Sequence, residues 1–452
     1  MQIIIVGCGK VGLTLAEQLT GEGHNLVLID PDSSKIQEAV ENFDVMGIVG
    51  NGSSFNILSE ADVDHTDLLI AVTGSDELNL LCCLIARKTG HCQTIARVRN
   101  PLYSKEIAFI KEQLGISMII NPELAAATEI SRILRFPSAN RIDRFAKGKV
   151  ELVKFRIRPE FKLDGYKVAD IFSRLRFDVL VCAVERGEEV AIPNGDFVLR
   201  ANDVISIMAT PQDSMGLFSR IGVKTNQVKN CMIVGGGTIG YYLAKQLMEM
   251  NIKVHLIEAN KERCDQLTEL LPEATIIHGD ATDKQLLTEE GLEQAESFVC
   301  LTNLDEENLF LALYAKKHSN AKLIAKVNRI TFDDIIDELD IDSIIYPKYI
   351  TADHITRYVR AMQNSIGSNV ETLYRILDNR AEALEFIVRE ESEVTNIPLS
   401  DLNTRDNLLI SCIMRNGTIR IPRGHDSIQV GDTVVVVTTA KALNDIRDIV
   451  KK

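Results

Sequence analysis

The sequence predicts an α/β chain built twice over: a parallel-sheet domain and a small α+β module, then the same pair again in tandem. Three observations carry this. First, the glycine pattern G-x-G-x-x-G occurs at Gly7-Cys8-Gly9-Lys10-Val11-Gly12 and again at Gly235-Gly236-Gly237-Thr238-Ile239-Gly240. Second, each copy follows a short apolar run, opens a helix-like stretch and has an acid further on, Asp30 and Glu258. That context turns a weak motif into a dinucleotide-binding fingerprint. Third, the residues around the two motifs repeat at a nearly constant offset along most of the chain.

Gly7 returns as Gly235 and Asp30 as Glu258, each 228 positions later. Gly50 returns 229 positions later as Gly279, with Asn51-Gly52-Ser53 answered by Asp280-Ala281-Thr282. Thr73, Asp76, Glu77 and Asn79 recur as Thr302, Asp305, Glu306 and Asn308. Pro193, Gly195 and Asp203 recur as Pro422, Gly424 and Asp432. The one-residue slip falls between the second and third strands, where a loop tolerates insertion. The halves join near Val228. A unit this long, present twice, reads as tandem domains rather than a solenoid.

The elements follow in order. In the first copy, apolar runs at Ile3–Val6, Asn25–Ile29, Met46–Val49, Leu68–Val72, Thr94–Val98 and Ser117–Ile120 alternate with helical stretches. In the second they are Met232–Val234, Lys253–Ile257, Thr275–Ile277, Ser297–Leu301, Lys322–Val327 and Ser343–Ile345. This rhythm fits βαβ units and a parallel sheet of the Rossmann type. A helix follows, Pro122–Phe136 or Pro347–Met362. The remainder is strand-rich: Glu151–Ile157, Val179–Glu185 and Asp203–Met208, answered by Glu385–Arg389, Leu408–Met414 and Asp432–Thr438. Alternation with Gly and Asn turns marks a small α+β module. The expected domains are 1–123, 140–224, 228–350 and 370–452.

Composition narrows the class. The chain has 452 residues, room for two to four domains, and 45% hydrophobic residues, enough for full cores. A net charge of −14 argues against nucleic-acid binding through bulk charge. Nine scattered cysteines without a C-x-x-C read as reduced, mostly buried thiols of a cytosolic protein. The apolar runs are too short to span a bilayer, and no basic n-region precedes the first strand, so no signal peptide is expected.

The glycine loops have a definite physical use. The first glycine allows a tight turn, the second lets backbone approach a pyrophosphate, and the third lets helix pack on sheet. Phosphates then meet free N–H groups at the helix N-terminus. Asp30 and Glu258 can accept hydrogen bonds from an adenosine ribose, which favours NAD or an adenine nucleotide over NADP. Lys261 and Arg263 weaken that exclusion in the second copy. A Walker phosphate loop is absent, since G-x-x-x-x-G-K-[ST] does not occur. The shared T-x-x-D-E-x-N follows strand four, so Thr73-Gly74 and Thr302-Asn303 can meet a cofactor. Asp76 and Asp305 fit a helix N-cap as well as a ligand contact. Arg97 can fork onto a phosphate or form a surface ion pair, and its counterpart is Lys326.

Catalytic equipment is missing from this reading. A dehydrogenase needs an acid–base group beside the nicotinamide, most often histidine. No histidine lies between His91 and His255, and none is matched between the copies. There is no metal-spaced Cys/His cluster and no G-x-S-x-G. Nucleotide sensing is therefore favoured over hydride transfer. The alternatives are an NAD-dependent oxidoreductase and a scaffold with vestigial sites.

On these residues the chain resembles the peripheral regulatory subunits of Trk-type potassium uptake systems, each half looking like a regulator-of-K⁺-conductance (RCK) module. The marks are the tandem order, the opening Met1–Gly12, Gly279-Asp280-Ala281-Thr282, and Pro193-Asn194-Gly195 with Asp203. The resemblance implies a protein on the cytoplasmic face of the membrane, docked to an integral potassium-translocating subunit and assembled as a ring, a homotetramer. It implies NAD(H), and ATP or ADP in some relatives, at Gly7 through Val11, Asp30, Thr73-Gly74 and Arg97. In the second copy the implied set is Gly235 through Ile239, Glu258, Asp280 and Thr302-Asn303. Asn51 stands where Asp280 keeps an acid, so the two sites are expected to differ in preference.

Overall fold

In the computed structural model, residues 1–451 are described except 91, 105, 136–140, 162, 176, 188, 222–227, 330–335, 337, 365–369, 377–379, 440–442 and 444. His91, Phe136 and the expected domain limits at 140, 224 and 452 lie outside the described residues.

The first copy opens with β1 (Gln2–Val6), β2 (Asn25–Asp30), β3 (Met46–Val49), β4 (Leu68–Ala71), β5 (Gln93–Arg97) and β6 (Met118–Ile120). All neighbouring strands pair in parallel in the order β3-β2-β1-β4-β5-β6. This is the Rossmann order, with its reversal between β1 and β4. Ile3, Ile4 and Ile5 are fully buried. A parallel sheet covered on both faces needs such unbroken apolar runs.

The module that follows comprises β7 (Arg141–Phe145), β8 (Val150–Arg156), β9 (Val179–Arg186), β10 (Glu189–Ala191) and β11 (Val204–Ala209), an antiparallel sheet ordered β10-β9-β11-β8-β7. The second parallel sheet holds β12 (Asn230–Val234), β13 (Lys253–Glu258), β14 (Thr275–His278), β15 (Ser297–Cys300), β16 (Lys322–Lys326) and β17 (Ser343–Ile345), ordered β14-β13-β12-β15-β16-β17. The last sheet holds β18 (Val370–Ile376), β19 (Ala381–Ile387), β20 (Leu408–Arg415), β21 (Thr418–Arg420) and β22 (Thr433–Thr438), ordered β18-β19-β22-β20-β21. Read in reverse, that is the arrangement of the first module.

The expected runs appear within two residues, with one exception. The strand expected at Glu385–Arg389 lies at Ala381–Ile387. Alanine is a weak strand former, but Ala381 and Ala383 are buried in a core shared by the two modules, with Phe145, Leu152 and Met208 of the first copy. Their small size suits a seam between two sheets. Four short or edge strands, β7, β10, β18 and β21, are not among the expected runs, although β18 alternates Val370, Thr372, Tyr374 and Ile376 as a strand does.

The chain divides into two compact units, and each joins like with like. One holds Met1–Ile130 and Asn230–Thr356, the other Ser131–Lys229 and Arg357–Lys452. In the first unit the copies meet reciprocally. Gln18, on helix Lys10–Thr20, donates to Asp353 at 3.3 Å and accepts from Thr356 at 2.9 Å, both on helix Pro347–Asn364. Gln246, on helix Thr238–Glu249, donates to Thr128 at 3.0 Å on helix Pro122–Arg135. Gln18 and Gln246 are equivalent positions, so the contact has the self-complementary form of a two-fold interface.

In the second unit the repeated aspartates explain themselves. Arg186 forks onto Asp203 through two 2.8 Å bonds, and Arg415 onto Asp432 at 2.8 and 2.7 Å. Both carboxylates are almost fully buried and also accept a backbone N–H, from Arg200 and from Gln429. The forks fasten a strand to the turn that precedes its neighbour. Both modules also share a bulge at an equivalent place, at Cys182 and Ser411.

Candidate nucleotide-binding sites

Both glycine loops join the first strand of a parallel sheet to a helix, at the edge where the strand order reverses. Gly7 and Gly235 adopt φ of +106° and +104°, a region open to glycine. A Cβ on Gly12 would stand 1.9 Å from the Gly7 carbonyl oxygen, and one on Gly240 2.2 Å from that of Gly235. The third glycine is thus demanded by packing of the helix against its own loop.

The cradle is open where a phosphate would sit. Gly9 and Gly237 occupy the N-cap positions and no side chain caps either helix. A Cβ on Gly9 or Gly237 would meet nothing within 4 Å, and neither first turn holds an acid. The free N–H groups and the helix dipole favour an anion there. The side chains of Cys8, Val11 and Ile239 are buried away from solvent. Burial pushes the Cys8 thiol up to about 12.

Asp30 and Glu258 end the second strand, and each braces the loop beside it. Asp30 accepts from the Cys8 N–H at 2.8 Å and the Asp32 N–H at 3.0 Å, one on each oxygen. Glu258 accepts from Gly236 at 2.7 Å and Asn260 at 2.8 Å in the same pattern. Each carboxylate oxygen keeps a further lone pair for a ribose hydroxyl. The nearby cations of the second copy are engaged locally: Arg263 donates to the Gly236 carbonyl at 2.8 Å, and Lys261 pairs with Asp265 at 3.2 Å.

Thr73-Gly74 and Thr302-Asn303 follow β4 and β15 and lie against the glycine loops, since a Cβ on Gly7 would be 3.0 Å from the Thr73 nitrogen. The residue that holds this edge is the asparagine of T-x-x-D-E-x-N. Asn79 accepts from the Thr73 N–H at 2.8 Å and its hydroxyl at 2.7 Å, and donates to the Arg97 carbonyl at 2.9 Å. Asn308 repeats this with Thr302, both at 2.9 Å, and the Lys326 carbonyl at 2.9 Å. Both are fully buried. Nothing in the sequence pattern alone assigns this asparagine a task; its exact recurrence, Asn79 and Asn308, is the signal that marks it.

Asp76 and Asp305 are not caps. Each begins its helix and reaches across to the next strand's loop. Asp76 accepts from the N–H groups of Arg99 and Asn100, and Asp305 from those of Asn328 and Arg329. Arg99 also donates to the Gly74 carbonyl. Asn51 and Asp280 form matching turns, accepting from Ser53 at 3.0 Å and Thr282 at 2.8 Å. Those bonds hold the Asp280 carboxyl below its usual range.

Arg97 ends β5 and is mostly buried, and the ion pair it forms, the alternative to a phosphate contact, is mostly buried with it. Its guanidinium stands 3.8 Å from Glu123, and its Nε has no hydrogen-bond partner among the described residues. Burial lowers the Arg97 pKa and raises that of Glu123. Lys326 is 5% exposed and donates to Asn303 at 3.4 Å. Burial lowers its pKa as well, opposed by Asp305 and Glu123 and reinforced by Lys10 of the first loop. Two desolvated cations therefore sit at equivalent strand ends beside the cradles, an arrangement suited to a polyanion. The residues fit a dinucleotide or adenine nucleotide.

Comparison with known proteins agrees with this geometry. The TrkA-N domain model matches residues 3–122 and 231–347, and the TrkA-C domain model 152–222 and 383–451. The Trk system potassium uptake protein TrkA homolog 1 of Methanosarcina mazei is 34% identical over 459 residues, covering 100% of both chains. Among solved structures, the GsuK channel bound to NAD superposes with a TM-score of 0.64 at 17% identity, over 97% of this chain and 77% of that one. GsuK bound to ADP gives 0.52 at 16% identity, over 79% and 69%. At such identity the likeness speaks for the fold. With both domain models matched twice and a full-length relative at 34% identity, the chain belongs to the TrkA family of Trk system potassium uptake proteins.

Proposed function

We propose that this chain is a nucleotide-binding regulatory subunit that gates a membrane potassium uptake system and carries out no chemistry of its own. The observation that carries the reading is the reciprocal packing in the first unit. The helix that would hold a phosphate in each copy is bonded to the helix following β6 or β17 in the other, through Gln18 and Gln246. A ligand at either cradle thus bears on the contact between the copies.

The ligand is NAD(H), with ATP or ADP as the alternative occupant. Gly7 through Gly12, Asp30, Thr73, Gly74 and Arg97 hold it in the first copy. Gly235 through Gly240, Glu258, Thr302, Asn303 and Lys326 hold it in the second, with Asn51 and Asp280 at the adjoining turns. One protein of the same fold, GsuK, is described as bound to NAD in one structure and to ADP in another, which supports both classes. The partner is an integral potassium-translocating subunit, the chain sits against it on the cytoplasmic face, and copies assemble as a homotetrameric ring. Among the described residues no helix is long and apolar enough to cross a membrane.

A ligand moves such a ring only by its differential affinity for two states. Shifting the open fraction from about 1% to 99% takes about 5.5 kcal/mol, which several sites can share. The test is potassium flux through proteoliposomes carrying the integral subunit and this chain, with NAD, NADH, ATP and ADP added in turn. Flux should change with at least one nucleotide. Flux indifferent to all four contradicts the reading, and substrate-dependent loss of NADH absorbance would favour the oxidoreductase.

A further inference from the structure

The two copies differ sharply at the outer edge of their parallel sheets. β3 and β14 hold the same edge position. Around β3, four apolar side chains stand open to solvent: Val40 at 46%, Met46 at 58%, Val49 at 51% and Phe55 at 56%. Their counterparts around β14 are Thr268, Thr275, His278 and Lys284, also exposed. One fold thus presents apolar chemistry in one copy and polar chemistry in the other at one solvent-facing place. The second copy does expose Leu270, where the first has Asn42. The sheet itself does not require apolar groups at this edge, because the second copy does without them.

The patch wraps the strand. Met46 and Val49 fall on opposite faces of β3 by strand alternation. Val40 leans over the strand, since a Cβ on Gly47 would lie 2.9 Å from its Cγ2. The strand Met46-Gly47-Ile48-Val49 carries neither the charge nor the proline that commonly blunts a free edge. Met46 also lines a cavity of about 310 Å³ with Asp44, Val45, Asn25 and Leu26. The surroundings are acidic: residues 38–64 hold exposed Glu38, Glu41, Asp44, Glu60, Asp62 and Asp64 and no Lys or Arg. A second copy set edge to edge would bring like charges together. Cytoplasmic segments of integral membrane proteins carry an excess of Lys and Arg, the complement of this rim.

We propose that the β3 edge of the first copy is the docking surface for an apolar, Lys/Arg-flanked cytoplasmic segment of the integral potassium-translocating subunit. Aliphatic groups of that segment pack on Met46, Val49 and Phe55, and a basic side chain reaches toward Asp44. The inference rests on the regulatory-subunit reading and adds the face that docks.

The test uses the full chain and co-flotation with proteoliposomes carrying the Trk-type integral subunit encoded in the same genome. Met46→Asp/Phe55→Asp should weaken binding at least about tenfold, as loss of central apolar anchors does. NAD affinity and solution mass should stay unchanged. Thr275→Asp/Lys284→Asp, at the equivalent places in the second copy, should shift binding less than about twofold. Undiminished binding by the first variant overturns the proposal. So does a fall in solution mass, which would make the patch a contact between copies, or wild-type flotation with protein-free anionic vesicles. Wild-type chain that binds neither subunit nor vesicle removes the regulatory-subunit reading, and this proposal with it.

Discussion

The two glycine loops share a backbone and differ in how they fill the space behind it. In the first, the middle residue is Cys8 and the helix after β2 presents Ala39, both buried. In the second, the same positions hold Gly236 and Leu267. A Cβ on Gly236 would stand 2.4 Å from a Leu267 methyl. A small residue on the loop is matched by a large one on the helix, and the reverse. The acid follows suit: Asp30 reaches a loop residue with a Cβ, and the longer Glu258 reaches a bare glycine, at 2.8 and 2.7 Å. Volume has been traded while the cradle was kept. Core packing tolerates such exchange when total volume is held.

This comparison can be broken at several depths. The largest effect belongs to what both copies share. Gly12→Ala places its Cβ 1.9 Å from a backbone oxygen that cannot retreat. It should destabilise the first unit by about 3 kcal/mol or more, and Gly240→Ala should do nearly as much. A thermal midpoint within a degree of wild type for either would refute the shared-packing account. Next come the buried asparagines. Asn79→Ala and Asn308→Ala each strand a threonine N–H and a strand-end carbonyl, at about 2–3 kcal/mol. The account expects near-equal losses in urea unfolding, and a loss confined to one copy would show that only one edge depends on the motif.

The traded pair gives a sharper, smaller test. Gly236→Cys alone should lose about 1–3 kcal/mol through overpacking. Adding Leu267→Ala recreates the first copy's arrangement and should recover at least about 1 kcal/mol of it. A double-mutant cycle without coupling would sink the idea of compensation. The smallest effect is at the reciprocal contact. Gln18→Ala and Gln246→Ala each remove hydrogen bonds worth roughly 0.5–1.5 kcal/mol. Both should also weaken the response of potassium flux to nucleotide, and an unaltered response in both would uncouple that contact from gating.

What could be read in the sequence follows from what repeats locally. The glycine loops, the acids after the second strand and the apolar runs of the parallel sheets signal themselves because burial on both faces demands them. The one-residue slip sits in the connection 43–45, answered by 271–274. Pairing of like domains was illegible, because Gln18, Thr128 and Gln246 look like ordinary helix-surface residues until two helices are brought together. Ala381 and Ala383 misled for the same reason: their partner surface lies in the other copy. Asp76 and Asp305 were legible as helix starts but not as acceptors, since the amides they hold are 23 and 24 residues away.

The claim beneath all of this is that each copy holds a nucleotide, and calorimetric titration of NAD, then ADP, into the full chain tests it directly. The account predicts about two sites per chain across the two ligands, reduced to about one by Asp30→Arg and to about one by Glu258→Arg, because each acid braces one loop and would meet one ribose. No binding by wild-type chain, or a stoichiometry unmoved by either substitution, would contradict it.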